Sequence, residues 1–379
     1  MAVRAEVMGM GMAGTPRWRD SLLVTLFAAF LLLPVTLQIL AVGQTTARDE
    51  MRELVQRPRF PTTLDAWRSF ASRVDAYVSD RFGLRQYLLA AANRLNFAVR
   101  LPGGANRVVL LGKDDWLFWR YDIEQHSGLR LLGQLEIDNW LGNLGYLHDW
   151  LASKGIRFVF VIAPDKSEIY PEHLPDGVPA APFTALDQLT AALETQSGFD
   201  FIDLRPLLKA AKVKDQIYYK TDSHWNSLGA YLALSTVLQG RLPQGVSLPA
   251  LAEYRLEPSR FAGDLVQLLG LDCCISEPQG KLIRNFPDPI KDSGFKMKDG
   301  QEARWIDSTH KDLPPIFVYG DSFSDAWLAP LADVTGRVVY RRNDHPLHAS
   351  EVEAEKPGLF IYEIVQRRVG GAPQPLVFP

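Results

Sequence analysis

From residue 131 to the C-terminus, apolar runs of strand length alternate with stretches in which apolar residues recur every three to four positions. Such alternation builds a mostly parallel sheet with helices on both faces, so the predicted fold class is α/β. Residues 131–154 read as an amphipathic helix closed by Gly155, 156–163 as a buried strand ending at Pro164, and 183–196 as the next helix. Further strands are expected at 199–204, 216–219, 316–319, 337–341 and 359–365, with helices starting at Asn226 and Phe323. The interval from about 241 to 312, rich in Pro, Gly and charges, interrupts the pattern. It is expected to be an insertion of short elements over the sheet edge. Upstream, Val108 to Leu111 and Trp116 to Trp119 flank a Gly112-Lys113-Asp114-Asp115 turn and predict a hairpin. Trp67, Phe70, Val74, Tyr77 and Val78 recur at helical spacing, and 87–97 continues in that style beyond Gly83, giving an N-terminal helical layer.

One apolar stretch belongs to neither pattern. Residues 21–43 carry no charged side chain, a length that spans a bilayer, and Arg4, Arg17 and Arg19 precede them. The positive-inside rule leaves 1–20 in the cytoplasm and everything after Gly43 on the far side. The expected organisation is therefore a cytoplasmic N-terminus (1–20), a transmembrane signal anchor (21–43), a polar tether (44–61) and a folded domain (62–379). A cleaved signal peptide is the rival, with small residues at Ala41-Val42-Gly43; the length of the run favours an uncleaved anchor. Pro34 is tolerable inside a membrane helix.

Composition changes this picture little. Apolar residues make up 47% and charged residues 22%, as in an ordinary globular protein, and a net charge of −3 without a basic cluster gives nucleic acid no footing as a partner. Cys273 and Cys274 are adjacent, which leaves a vicinal bridge, two free thiols or an intermolecular link open and gives neither a catalytic role.

The chemistry concentrates at two strand ends. Ile316 to Tyr319 runs into Gly320-Asp321-Ser322, where a serine lies at the carboxyl edge of the sheet and the first N–H groups beyond it face an oxyanion. Alone, such a tripeptide is explained by a helix cap. A matching base raises its specificity: in Thr221-Asp222-Ser223-His224-Trp225-Asn226, residues two apart in extended backbone share a side, so Asp222 can orient His224 while the other ring nitrogen faces Ser322. Asp344-His345 is a weaker dyad, followed by Pro346 and no helix. An Asp-His pair also suits a metal, but no second histidine cluster supports one, and no cofactor is called for. Lys166 and Tyr170, just past a buried strand, are candidates for binding a substrate group, against the alternative of solvated surface. Trp116, Trp119 and Trp225 are candidates for stacking on a ligand, against the alternative of core packing. Glu363, Arg367 and Arg368 read as a terminal ion-pair group.

Six segments in order, Asp80-Arg81-Phe82-Gly83-Leu84-Arg85, Gly112 to Phe118, Pro164-Asp165-Lys166 through Tyr170-Pro171, Thr221 to Asn226, Gly263-Asp264-Leu265 and Gly320 to Phe323, resemble the alginate O-acetyltransferase proteins of the AlgJ and AlgX type. The resemblance implies an SGNH-hydrolase-like domain in permuted motif order, with Asp222 and His224 as base pair and Ser322 as nucleophile. It further implies acetyl transfer to hydroxyls of an exported polysaccharide, and a polytopic membrane partner that passes acetyl groups outward. The location implied is a single-pass inner-membrane protein with its catalytic domain in the periplasm. The glycine and asparagine blocks that donate to the oxyanion in ordinary SGNH hydrolases are missing, leaving the Ser322 N–H and Asn343 as candidates. No long stretch follows the last strand, which favours the AlgJ branch over AlgX with its carbohydrate-binding module. A polysaccharide O-acetyl esterase uses the same triad, and a non-catalytic polysaccharide-binding scaffold is the third reading.

Overall fold

A computed structural model describes residues 17–40, 55–100, 106–196, 198–298, 301–371 and 376–377. The chain forms two units, Met1–Ala92 and Asn93–Pro379. In the first, helix α1 (Arg17–Ile39) contains an apolar stretch, Trp18–Gln38, with a mean hydropathy of 2.0 and a length sufficient to cross a membrane. It begins a turn earlier than the uncharged run because Arg17, Arg19 and Asp20 already take helical conformation. Helices α2 (Leu64–Arg68) and α3 (Phe70–Asp80) follow, α2 capped by the Thr63 hydroxyl, which accepts from the Ala66 N–H. Helix α4 (Arg85–Ala98) runs across the boundary between the units. The Ala41-Val42-Gly43 cleavage motif and most of the expected 44–61 tether lie outside the described residues.

The second unit is built on a seven-stranded sheet. In chain order its strands are β1 (Arg157–Ala163), β2 (Asp200–Asp203), β3 (Ile290–Lys298), β4 (Gln301–Ser308), β5 (Ile316–Gly320), β6 (Arg337–Arg342) and β7 (Leu359–Val365), arranged β2-β1-β7-β5-β6-β4-β3. The first five in that order pair parallel, and β4 and β3 add an antiparallel edge. Side-chain alternation along β1 explains why both faces are covered. Phe158, Phe160 and Ile162 pack with Trp140, Leu144 and Leu189 of helices α5 (Gln134–Ser153) and α6 (Ala185–Gln196), whereas Val159, Val161 and Ala163 join Ala233, Leu234 and Val237 of α7 (Ser227–Leu238). The α/β expectation of a mostly parallel sheet between helical layers is borne out, as is the hairpin of Val109–Leu111 with Leu117–Trp119.

Three local expectations are corrected. Residues 216–219 form no strand; they contribute a single bridge, Tyr218 to Trp225, because the chain there turns back on itself to start α7. The helix expected from Phe323 is a 3-10 turn, Ser324–Trp327, followed by one α turn, Leu328–Leu331. The 241–312 interval is more than a set of short elements over an edge. It makes one long hairpin, Tyr254–Phe261 with Glu277–Arg284, and a second, β3–β4, that extends the sheet itself through β6. Alternating polar and apolar residues on an exposed edge hairpin carry little burial signal, which is why the pattern misread them. Within this interval Cys273 and Cys274 are bonded to each other.

Candidate active site

Strand β5 delivers Ser322 to the carboxyl edge of the sheet. Its backbone turns at Gly320, where a Cβ would collide with the Ser324 hydroxyl, so the tight approach requires glycine. The turn is then fixed from within. Asp321 accepts from the N–H groups of Phe323 (3.0 Å) and Val365 (2.8 Å), and Tyr340 OH donates to the Asp321 carbonyl (3.1 Å). Glu363 Oε2 accepts from the Asp321 N–H and the Ser324 hydroxyl, both at 3.0 Å. Burial, reinforced by the Asp321 charge, pushes the Glu363 carboxyl well above the usual carboxylate range. Ser322 itself is half-buried, and its backbone N–H donates to no protein atom among the described residues.

The loop before α7 brings the partner groups. His224 Nε2 lies 2.7 Å from Ser322 Oγ, and its Nδ1 lies 2.6 Å from Asp222 Oδ1, which also accepts from the His224 N–H at 2.9 Å. Asn226 caps α7, accepting from the N–H groups of Leu228 and Gly229. The loop lacks a strand ladder, and its polar backbone is satisfied by side chains from elsewhere. Lys166 Nζ donates to the carbonyls of Tyr219 (3.0 Å), Lys220 (3.1 Å) and Asp222 (2.6 Å). Glu277 accepts from the N–H groups of Lys220 (2.9 Å) and Thr221 (2.7 Å). Asp264 accepts from the Ser223 N–H (2.7 Å) and hydroxyl (2.6 Å), and its own N–H donates to Asp222 Oδ2 (2.8 Å). Gly263 lies so close to the Thr221 carbonyl that a Cβ would overlap it.

These contacts set the protonation states. Burial works against an ionised Asp222, but the bonds from His224 and the Asp264 N–H outweigh it and hold its carboxyl at about 2. Burial pulls the His224 imidazole down, while the Asp222 hydrogen bond and charge raise it above its ordinary value. Lys166, fully buried, is depressed to about 8 by desolvation despite the surrounding Asp222, Asp264, Glu277 and Asp122. Asp264 is raised, first by burial and then by the Asp222 charge. Asp222, His224 and Asp264 place ligand-type atoms within 4.8 Å of one another, yet their facing atoms already bond to one another or to Ser223 and Ser322. A second buried cluster lies beside the nucleophile. Arg367 Nη1 donates to Asp165 (2.7 Å) and Asp122 (3.2 Å), and its guanidinium lies 5.4 Å from the Phe323 ring centroid, a ring that also meets His224 at 4.8 Å.

The structure brings Ser322, His224 and Asp222 together. The other candidates sit elsewhere. Lys166 is fully buried with its ammonium spent on three carbonyls, so it braces the loop and is neither solvated surface nor exposed to a sugar. Tyr170 is buried, accepts from the Ile217 N–H (3.0 Å) and packs on Trp116. Trp225 is buried between Phe323 and Trp327 and donates to the Phe323 carbonyl (3.0 Å), because an aromatic at the root of an apolar helix is drawn into the core. Asn343 is buried, its Nδ2 donates to the Glu363 carbonyl (2.6 Å) and its Oδ1 accepts from Arg368, so it braces the end of β7. Sequence reasoning missed the bracing role of Glu277 and the roles of Glu363, Asp122 and Arg367. Their only signal was a charged side chain inside or beside an apolar run, and what such a charge faces depends on distant segments.

Residues 109–340 match the family described as "SGNH hydrolase-like domain, acetyltransferase AlgX". The chain belongs to this family. Its SGNH-like span covers the triad and the bracing residues Lys166, Asp264 and Glu277, while Glu363 and Arg367 lie beyond it. The chain is 33% identical over 225 residues to the "Probable alginate O-acetylase AlgJ" of Pseudomonas syringae pv. tomato, covering 57% of this chain and 55% of that one. It is 34% identical over 163 residues to the protein of the same name from Pseudomonas aeruginosa, covering 42% and 39%. The chain thus spans about half the length of the first of these relatives, and less of the second. Among solved structures, Bacillus cereus PatB1 shares the fold, with a TM-score of 0.56 at 16% identity over 70% of this chain and 98% of that one.

Proposed function

We propose that this protein is an O-acetyltransferase that moves acetyl groups onto hydroxyls of an exported polysaccharide, alginate or a similar polymer, through an acetyl-Ser322 intermediate. The observation that carries this reading is the continuous hydrogen-bonded chain from Ser322 Oγ through both nitrogens of His224 to Asp222. The names of the AlgJ relatives support the acetyl group and the polymer.

His224 Nε2 takes the Ser322 proton as Oγ attacks the acetyl carbonyl of the donor, and the same nitrogen returns that proton to the departing donor group. The Ser322 N–H stabilises the tetrahedral oxyanion. A sugar hydroxyl then gives its proton to His224 and attacks acetyl-Ser322, and the proton passes back to Ser322 Oγ as the ester leaves. Asp222 fixes the Nδ1–H tautomer and the imidazolium throughout. Helix α1 holds the catalytic unit at the inner membrane, facing the periplasm, where a polytopic membrane protein supplies acetyl groups. Because Ser322 and His224 are both half-exposed, water can reach the same intermediate, and hydrolysis would make the protein an O-acetyl esterase.

The test is intact-mass analysis of the protein with an activated acetyl ester, with and without an oligosaccharide acceptor. The expected outcome is one acetyl group on Ser322, absent from Ser322→Ala, and acetyl on the acceptor. Acetate release with no acylated acceptor favours the esterase; absence of any adduct overturns the triad.

A further inference from the structure

The first unit differs from the rest of the chain in charge and in what it exposes. Between Val55 and Ala92 it carries six arginines against three aspartates, with neither lysine nor glutamate, in a chain whose net charge is −3. Its large apolar side chains face outward: Leu64 is 83% exposed, Phe60 80% and Trp67 52%. Phe60, Trp67 and Phe70 form one aromatic cluster, with ring centroids 5.5 to 6.2 Å apart, in which Phe60 and Trp67 are exposed among the described residues. Arg57, Arg59 and Arg68 flank it and are exposed.

A second observation fixes where this surface lies. The turn between α3 and α4 packs on the C-terminal end of α1: a Cβ added at Gly83 would sit 2.6 Å from the Pro34 carbonyl oxygen and 2.7 Å from Leu37 Cβ. That is the end at which α1 emerges from a bilayer under the positive-inside reading, so the helices that follow are tied to the membrane surface at that point. Aromatic rings beside arginines, with few acidic groups among them, have the composition of a segment lying at the headgroup level of an anionic leaflet.

We propose that α2 and α3 form a membrane-interface element, with Phe60, Leu64 and Trp67 at the acyl boundary and Arg57, Arg59 and Arg68 among anionic lipid headgroups. The proposal rests on α1 being a membrane span.

The test uses the full-length protein in lipid nanodiscs, with an environment-sensitive fluorophore on Leu64→Cys or, as a control, on Val213→Cys, an exposed apolar position of the second unit. The paired Cys273 and Cys274 do not react with the label. At Leu64 the expected result is blue-shifted emission and quenching by headgroup-proximal spin-labelled lipid, about twofold stronger with phosphatidylglycerol than in phosphatidylcholine alone. The control probe stays unquenched, and replacing the three arginines by Gln removes the phosphatidylglycerol gain. A Leu64 probe that remains water-like in both lipids overturns the proposal, as does shielding that appears only in native membranes with their proteins, which would mark a protein partner. Co-flotation with vesicles separates the two readings: failure to float refutes the span, whereas flotation with a water-exposed Leu64 refutes the interface element alone.

Discussion

The two loops that meet in the site are held in opposite ways. The nucleophile turn, Gly320 to Ser324, is fixed by its own strand end and by adjoining β7, through the Asp321 and Glu363 carboxyl groups, which accept from neighbouring backbone N–H groups. The Tyr219 to His224 loop has no ladder, and its backbone is braced by one ammonium and two carboxylates that lie 41 to 57 residues away in sequence. A parallel sheet edge places its bracing groups in the turn itself and on the adjoining strand end. A loop without a ladder needs charged braces, and buried charges are destabilising unless every partner stays in place. Single substitutions should therefore disturb the base loop more than the nucleophile turn.

The largest effect is expected where the base loop meets the chemistry. Asp222→Asn should lower kcat by about 10³ to 10⁴-fold, through loss of the tautomer and of imidazolium stabilisation. In the parent, the acid limb of the pH–rate profile lies above the ordinary histidine value, since His224 must be neutral to take a proton and Asp222 raises its pKa. In the variant that limb moves to lower pH, which a profile of kcat/KM records.

Lys166→Met should cost roughly 10²-fold in kcat with little change in KM, because it frees three carbonyls without touching substrate. The parent enzyme should also lose activity above about pH 8 as the Lys166 ammonium deprotonates. The stability sign is opposite. A lysine depressed to about 8 in the folded state binds fewer protons there than in the unfolded chain between pH 8 and its ordinary value near 10.5, so this group makes the fold more stable as pH rises through that window. Activity falling while this contribution to stability rises would identify Lys166, and the methionine variant should show neither trend.

Glu277→Ala orphans two N–H groups and the Thr221 hydroxyl; a loss of about 1–3 kcal/mol is expected in chemical denaturation, with about a tenfold drop in turnover. Glu363→Gln should change least, under about 1 kcal/mol and about threefold in kcat, because the amide oxygen can accept the same two donors. A large effect of Glu363→Gln beside a mild effect of Lys166→Met would reverse the contrast between the loops.

Much of this protein follows from local pattern. The continuous apolar runs of β1, β5 and β7 dictate strands buried on both faces, and a Gly-Asp-Ser turn after such a strand places its serine at the sheet edge. Asp222 and His224 were legible as a pair two residues apart, although they meet through a bend in which the His224 N–H also donates to Asp222, and not through extended backbone. Lys166, Glu277 and Arg367 were not. A lone charge at a strand end looks the same whether it faces water or three buried carbonyls, and sheet order and the fold of the insertion alone decide which. Trp225 was misread because its neighbour Phe323 is set by tertiary packing. Backbone periodicity is a property of adjacent residues and is written in the sequence. The partners of a buried polar group come from distant segments, and only the closed fold selects them.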